Sequence, residues 1–303
     1  LAPDTGRFSL PEAVAADLVA AATVFRKSPL PLAQTLPDHF ELPATRAFVD
    51  RLTPELARGP GFALIDRLPL HRLGEDGARL AHWLICSLIE RPVAQNWRGD
   101  LVYDVTDAGL PAGNGVRPDK TNAEQNFHTD NSYNLCPPNY VALLCLRAAK
   151  AGGVSHIVSF EAAHAALANA RPDLLARLYQ PFYFDRQREH APNEVMTTHH
   201  PLFNAEHGRL HARLSHFQVM NGQKLANTPL DALGAEALLA LEAQMNAPGM
   251  DISFQFEPGQ IQIVDNRRIG HRRTGFEDWP DPHRKRLLIR LWLRKQGRRF
   301  YNG

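Results

Sequence analysis

The sequence predicts an α+β protein in which helices jacket a β-barrel or β-sandwich, and three observations support this fold class. The first third of the chain has alanine-rich, amphipathic, helical periodicity. From about residue 100 the pattern changes to short strand-like runs separated by turns, and two helical segments interrupt those runs. With 303 residues, 44% of them hydrophobic, the chain can bury a sizeable core. We expect one domain over residues 1–303, with a mostly helical extension over 1–58 and a barrel core over about 62–295.

The helices are predicted from their periodicity and from the residues at their boundaries. Pro11 lies just inside the start of the first helix, where its missing N–H costs nothing. Gly59-Pro60-Gly61 closes the second helix. The five predicted helices are Leu10–Phe25, Thr45–Arg58, Leu73–Glu90, Phe160–Ala170 and Leu230–Met245.

The strands are predicted from short apolar or alternating runs bounded by turn residues. No internal repeat, low-complexity tract or linker separates them, which favours one domain over two. The predicted strands before the C-terminal region are Phe62–Asp66, Tyr140–Leu146, Val154–Phe160, Leu210–Val219, Asp251–Phe256 and Gln260–Val264.

The last strand, Arg286–Arg294, carries the clearest pattern. Alternation places four aliphatic residues on one face, which must pack under another layer of structure, and places Arg290 on the opposite face between Leu288 and Trp292. If that second face lines a barrel, Arg290 is buried and needs an anion, because an unpaired buried guanidinium is costly. An edge strand with a wet cationic face is the alternative.

The composition excludes several classes of partner and site. A formal net charge of +2 is too balanced to indicate nucleic acid or an anionic membrane as the main partner. Apolar runs are too short to span a bilayer, and no signal-peptide pattern opens the sequence. Three cysteines without a C-x-x-C spacing predict neither a disulfide framework nor a thiolate site, so a reducing cytoplasm is expected. Nothing in the sequence fixes the oligomeric state, and a homo-oligomer stays open.

A short motif, Phe127-His128-Thr129-Asp130, suggests a metal site when it is combined with the distant His271. On an extended strand, the side chains of His128 and Asp130 leave the same face. Two histidines and one carboxylate on one face of a metal leave other positions open, which suits an Fe(II) centre that activates oxygen. With 14 histidines and 32 acidic residues in the chain, the motif alone could arise by chance. His199-His200 is a less suitable pair, because adjacent residues of a strand point to opposite faces.

Four segments occur in one order along the chain: Asn126–Tyr133, Ala151–Ser155, Val264–His271 and Lys285–Arg290. Together they resemble the Fe(II)/2-oxoglutarate-dependent dioxygenases of the taurine dioxygenase and clavaminate synthase superfamily, over about Phe62 to Leu293. The resemblance implies a double-stranded β-helix, or jelly-roll, barrel with flanking helices. It also implies Fe(II), 2-oxoglutarate as cosubstrate and molecular oxygen, with succinate and CO₂ as co-products.

The resemblance assigns roles to individual residues. His128, Asp130 and His271 would bind the iron. Arg290 would pair with the distal carboxylate of 2-oxoglutarate, and Ser155, where relatives commonly have Thr, would donate to that same carboxylate. Arg286, on the same strand face, would contact the other carboxylate. Because related halogenases lack the carboxylate ligand, Asp130 favours hydroxylation.

The substrate is expected to be a small polar molecule, amino-acid-like or carboxylated. Asn126, Asn131 and Tyr133 flank the metal motif and are candidate substrate contacts; the alternative is that the asparagines shape a turn and Tyr133 is part of the core.

Several alternative functions stay open. The same iron centre could desaturate or cyclise its substrate. A zinc hydrolase could use the same three ligands with a bound water, which would leave Arg290 without a role. A barrel that binds a small molecule without catalysis would tolerate the loss of His128.

Overall fold

The computed structural model describes residues 4–110, 118–206 and 208–297. Its helices agree with the predicted ones within a few residues, and two further helices, α5 and α6, were not predicted. The α-helices of the described residues are α1 (Glu12–Lys27), α2 (Pro43–Ala57), α3 (Leu70–Ile89), α4 (Phe160–Ala170), α5 (Pro172–Leu178), α6 (His216–Leu225) and α7 (Ala232–Met245).

The strands are short and most lie in the second half of the chain, as predicted. In chain order they are β1 (Arg7–Ser9), β2 (Phe62–Asp66), β3 (Pro92–Val93), β4 (Tyr103–Val105), β5 (Gln125–His128), β6 (Tyr140–Arg147), β7 (Ala151–Gly152), β8 (Ser155–Ser159), β9 (Pro181–Asp185), β10 (Thr197–Pro201), β11 (Phe203–Glu206), β12 (Arg209–Ala212), β13 (Asp251–Phe254), β14 (Ile261–Asp265), β15 (Ile269–Arg273), β16 (Phe276–Glu277) and β17 (Leu287–Leu293).

Two sheets position the site. The larger has the strand order β1-β2-β14-β6-β17-β3, with β4 paired to β17, and its pairings are antiparallel except for β1 with β2. The smaller has the order β13-β8-β15-β5 and is antiparallel throughout. Three two-stranded ribbons, β9 with β10, β11 with β12 and β7 with β16, flank them.

The outer face of the large sheet packs against helices α1, α2 and α3. On β17, the aliphatic residues Leu287, Ile289, Leu291 and Leu293 join one buried cluster with the apolar faces of those helices. The other face of the strand carries Leu288, Arg290 and Trp292 into the interior, where all three are buried. The predicted alternation of this strand is therefore confirmed, and the wet edge strand is not observed.

A second cluster joins the two sheets. Val141, Val264 and Trp292 from the large sheet lie in the same buried cluster as Phe127 and Ile157 from the small sheet. Helices α4, α5 and α7 cover the other side of this cluster. The molecule is thus a mixed α and β structure in which the inner faces of two sheets meet beneath a helical layer.

One predicted strand, Leu210–Val219, is wrong in its second half. The strand β12 ends at Ala212, and Ser215 then begins helix α6, its Oγ accepting from the backbone N–H of Gln218 at 3.4 Å. Serine is a typical N-cap residue, and the residues that follow Ser215 lack the alternation of β-branched residues that is typical of a strand. The capping of the helix therefore outweighs the short alternating pattern before it.

No helix among the described residues is both long and apolar enough to span a membrane. The three cysteines are free thiols, as predicted from their spacing.

Candidate metal and cosubstrate site

Two histidines face each other across adjacent strands of the small sheet. His128 is the last residue of β5 and pairs directly with His271 on β15, after which the register shifts. Their ring centroids are 4.4 Å apart. Side chains of directly opposite residues in an antiparallel pair come this close, so the strand register itself brings two of the three residues of the site together.

Asp130 completes the group from the turn that follows β5. Its Oδ1 lies 3.5 Å from His128 Nε2 and 3.4 Å from His271 Nε2. The ligand atoms of the three residues all lie within 4.8 Å of one another, and they form the one such group of histidines, cysteines and carboxylates found in the described residues. The strand ends at His128, so a turn rather than a continuing strand places the carboxylate beside the histidines.

The backbone around Asp130 is fixed from two sides. Asn266, which is fully buried, accepts from the Asp130 N–H at 2.8 Å and donates to the Asp130 carbonyl at 3.0 Å. Thr129 and Leu214 exchange two further bonds: the Thr129 N–H donates to the Leu214 carbonyl, and the Leu214 N–H donates to Thr129 Oγ1. The turn that carries the carboxylate is therefore held in one conformation.

The surroundings of Asp130 and His271 favour the protonation states that a divalent metal requires. Burial opposes ionisation of Asp130, but the positive charge of Arg290 and the bonds from both histidines hold its pKa well below the usual value. Burial lowers the pKa of His271, and the neighbouring His128 lowers it further. The Nδ1 of His128 lies 2.9 Å from the Asn126 carbonyl, which leaves Nε2 to face Asp130. An ionised carboxylate and neutral imidazoles are the forms that bind metals.

Arg290 lies beside the triad in the cavity. Its Nη1 is 3.2 Å from Asp130 Oδ2, and its Nη2 is 3.1 Å from Asp119 Oδ2. Gln95 holds the same residue twice, accepting from Arg290 Nε at 2.8 Å and donating to the Arg290 carbonyl at 2.8 Å. The guanidinium is thus fixed against a residue of the triad.

A second group of buried polar side chains, Ser155, Gln262 and Arg286, is incompletely paired, and Ser155 and Arg286 line the cavity. Ser155 Oγ donates to Gln262 Oε1 at 3.0 Å, and the Nε2 of Gln262 has no hydrogen-bond partner. The Nη1 of Arg286 is also buried without a partner, and burial lowers the pKa of this guanidinium to about 10. Gln262 and Arg286 therefore each keep a buried donor without a partner, and unsatisfied buried donors are uncommon in proteins.

A cavity of about 320 Å³ connects these groups. The triad, Ser155, Arg286 and Arg290 all line it, and so do the predicted substrate contacts Asn126 and Asn131. Tyr133 is not among the lining residues: it is 2% exposed and packs in the cluster between the sheets, which favours its core alternative over a substrate contact.

His199 and His200 lie on β10, outside this cavity. His199 is exposed and stacks on Tyr183 at 4.3 Å between ring centroids, while His200 is half-buried near Phe184. As adjacent residues of the strand they therefore have different ring neighbours, Tyr183 for His199 and Phe184 for His200.

The sequence reading missed four residues of the site: Gln95, Asp119, Gln262 and Asn266. Gln262 had a usable signal, since it is a lone amide within the apolar strand β14, and such a residue needs a buried partner. Asn266 lies inside the Val264–His271 segment. Gln95 lies in an irregular segment and Asp119 in a 3-10 helix of one turn, Pro118–Lys120, and neither is long enough for a periodicity that indicates which side chains point inward.

Comparison with known proteins gives a consistent result. The model of the family described as "Taurine catabolism dioxygenase TauD, TfdA family" matches residues 28–292. FR-33289 synthase of Streptomyces rubellomurinus is 30% identical over 274 residues, covering 87% of this chain and 78% of that protein. The taurine hydroxylase-like protein SAT17 of Stachybotrys chartarum is 26% identical over 295 residues, covering 93% and 73%.

Solved structures share the fold. An asparagine oxygenase in complex with Fe(II), 2S,3S-3-hydroxyasparagine and succinate superposes with a TM-score of 0.73 at 20% identity, covering 95% of this chain and 93% of that one. The non-heme iron oxygenase OrfP, in complex with Fe, succinate and (3S)-hydroxy-L-Arg, superposes with a TM-score of 0.71 at 16% identity, covering 96% and 94%.

Proposed function

The chain belongs to the taurine catabolism dioxygenase TauD, TfdA family and is an Fe(II)- and 2-oxoglutarate-dependent dioxygenase, and from this premise we propose that it hydroxylates an unactivated C–H bond of a small, polar, amino-acid-like or carboxylated molecule. Succinate and CO₂ are the proposed co-products. The observation that carries the proposal is the triad of His128, Asp130 and His271 on the wall of a cavity that also contains two buried arginines.

The proposed metal ligands are His128 Nε2, His271 Nε2 and Asp130 Oδ1. Two imidazoles and one carboxylate are the donor set that suits non-haem Fe(II), and the three atoms already lie close together before any ion is considered. When bound, iron with 2-oxoglutarate and oxygen supplies the oxidising power for the C–H bond, while the protein orients the reactants and excludes water.

We assign the distal carboxylate of 2-oxoglutarate to Arg286, Ser155 and Gln262. The unpartnered Nη1 of Arg286 and Nε2 of Gln262 support this assignment, because a carboxylate would satisfy both donors. Arg286 immediately precedes β17 and Arg290 lies within it, four residues further on, which corresponds to about 13 Å of extended chain. Since Arg290 contacts Asp130, the arginine that lies further from the metal is Arg286.

Arg290 is then the arginine that meets a carboxylate near the metal, either the keto-acid end of the cosubstrate or a carboxylate of the substrate. This assignment reverses the roles that the resemblance implied for the two arginines. The contact between Arg290 Nη1 and Asp130 Oδ2 supports it, because an arginine that touches the metal ligand is too close to the metal for the far end of a five-carbon diacid.

Two cavity residues and the fold neighbours favour an amino-acid-like substrate. Asn126 and Asn131 line the cavity and offer amide donors and acceptors to a polar substrate. Some solved oxygenases that share this fold bind hydroxylated amino acids. We propose that the two facing sheets form a double-stranded β-helix within one domain that spans the chain.

The test is a screen of free amino acids and small carboxylic acids for substrate-dependent succinate formation with Fe(II), 2-oxoglutarate and oxygen. We expect at least one to stimulate succinate release and to gain one oxygen atom by mass. Loss of two hydrogens instead would assign desaturation or cyclisation. Turnover of a substrate without oxygen or 2-oxoglutarate, as a zinc hydrolase would show, would contradict the proposal.

A further inference from the structure

The two carboxylate oxygens of Asp130 have different surroundings. Oδ1 faces the two histidines, at 3.5 and 3.4 Å from their Nε2 atoms. Oδ2 turns the other way and accepts a hydrogen bond from the indole Nε1 of Trp292 at 2.6 Å, with Arg290 Nη1 at 3.2 Å. The carboxylate is 6% exposed, so water competes little for either oxygen.

The position of Trp292 follows from the last strand. Alternation along β17 sends Arg290 and Trp292 to the same inner face, and the pairing of Trp292 with Val141 on β6 fixes its height in the sheet. The indole is 2% exposed and packs in the cluster between the two sheets, so its ring has little room to turn. Its N–H therefore points at one fixed place, which Oδ2 occupies.

An indole suits this task because of its chemistry. It donates one hydrogen bond, accepts none and carries no charge, so it can occupy a carboxylate oxygen without competing for the metal. Arg290 cannot do the same alone, because its guanidinium is shared with Asp119 and Gln95. Of the two donors, the Trp292 N–H is also the closer to Oδ2, at 2.6 Å compared with 3.2 Å for Arg290 Nη1.

We propose that Trp292 is a positioning residue that ties Asp130 Oδ2 and leaves only Oδ1 for the metal. This inference rests on the proposed iron site. A carboxylate that binds a metal through both oxygens takes one more coordination position than a carboxylate that binds through one. By holding Oδ2, Trp292 keeps that position open for the cosubstrate and oxygen.

The first test compares Trp292→Phe with Trp83→Phe by calorimetric titration of Mn(II) into the metal-free protein. Trp83 is an equally buried indole that donates at 2.9 Å to the Thr35 carbonyl, away from the cavity, so it controls for the loss of a buried N–H bond. Loss of an outer-shell partner typically weakens metal affinity by about 10–100-fold. We expect that loss for Trp292→Phe and a change below about twofold for Trp83→Phe.

The visible absorption of bound Co(II) reports coordination number, and it gives a second readout when Co(II) instead of Mn(II) is added to the same metal-free proteins. We expect the Trp292→Phe spectrum to differ from the wild-type spectrum, with Trp83→Phe unchanged. Wild-type Mn(II) affinity together with a wild-type Co(II) spectrum in Trp292→Phe would overturn the positioning role. Failure of the wild-type protein to bind either ion would instead overturn the proposed metal site.

A measurement on the unaltered protein keeps the inference testable if Trp292→Phe does not fold. The chain has four tryptophans, so its ¹⁵N-indole spectrum has four signals, and the other three can be assigned by single Phe variants. We expect the remaining Trp292 signal to exchange slowly with water both before and after addition of Zn(II). Fast exchange of this signal in the Zn(II)-bound protein would show that Oδ2 has been released to the metal, and would overturn the inference.

Discussion

At the residue scale, Arg286, which immediately precedes β17, and Arg290, which lies within it, differ in what already satisfies them. Arg290 is engaged by Asp130, Asp119 and Gln95, whereas the Nη1 of Arg286 is buried without a partner. A guanidinium that is desolvated but incompletely paired gains most from an incoming carboxylate, because the desolvation cost has already been met in the folded protein. The affinity for 2-oxoglutarate should therefore depend mainly on Arg286.

This difference predicts the effect of Arg286→Lys on 2-oxoglutarate binding. Lysine keeps the charge but cannot make the forked contact, and a lost charge-assisted bond of about 1.5–3 kcal/mol corresponds to roughly 10–150-fold weaker binding. The dissociation constant of 2-oxoglutarate, measured anaerobically with Mn(II) in place of iron, should rise by that factor. Arg284→Lys is the control, since Arg284 is exposed and stacks on Trp279. A larger loss in Arg290→Lys than in Arg286→Lys would restore the opposite assignment.

At the element scale, the C-terminus of α3 carries an unfavourable charge. Glu90 caps this helix, next to its negative dipole end, and Oε2 of its side chain is buried without a partner. Burial raises the pKa of Glu90 from 4.5 to about 7, although Asn139 donates to Oε1 at 3.5 Å. The folded state holds the proton more tightly than the unfolded state. The protonated Glu90 side chain therefore contributes its full stabilisation below pH 4.5, and this stabilisation is lost as the pH rises through about 7.

Glu90→Gln should therefore stabilise the protein at pH 8 and have little effect at pH 5. The amide reproduces the neutral acid, and with allowance for the partial exposure of the side chain we expect a gain of about 1–2 kcal/mol at pH 8. The corresponding rise in melting temperature is roughly 2–3 °C for a chain of 303 residues. Glu41→Gln, at an exposed position, should show no pH-dependent difference. An equal gain at both pH values would contradict the assignment of the raised pKa to this residue.

The elements also show where sequence patterns are sufficient. The strand β2 was predicted with its observed bounds, Phe62–Asp66, and so was the helix α4, Phe160–Ala170, because each has a clear period and clear boundary residues. Both faces of β17 follow from alternation alone. The helix α6 was missed because its capping by Ser215 depends on a local side-chain bond, which a hydrophobic pattern does not reveal.

At the scale of the whole molecule, the site unites segments that are distant in sequence. His128 and Asp130 come from β5 and its turn, His271 comes from β15, and Trp292 and Arg290 come from the other sheet. The motifs predicted which residues meet, but not the orientation of Asp130 or the partners of the arginines. Those depend on how two sheets pack, which involves long-range contacts that local patterns do not encode.

Because the proposed metal ligands belong to separate elements of the native fold, metal binding should stabilise the whole protein. A ligand at about 100 times its dissociation constant adds roughly 2.7 kcal/mol if the unfolded chain does not bind it, which is a rise of about 4 °C in melting temperature for a chain of 303 residues. Scanning calorimetry with Mn(II) should show this rise in the wild-type protein. The matched variants are His128→Ala, which should lose it, and His199→Ala, which should keep it. A rise that survives in His128→Ala would place the metal elsewhere.

The central claim is that His128, Asp130 and His271 hold iron while the buried arginines bind 2-oxoglutarate beside it. Anaerobic addition of Fe(II) and then 2-oxoglutarate to the metal-free protein tests this claim most directly. We predict a weak visible charge-transfer band that appears only when both are present, is absent in His128→Ala, and bleaches with succinate formation when oxygen and a substrate are admitted. Absence of the band in the wild-type protein, together with no succinate from any candidate substrate, would contradict the account.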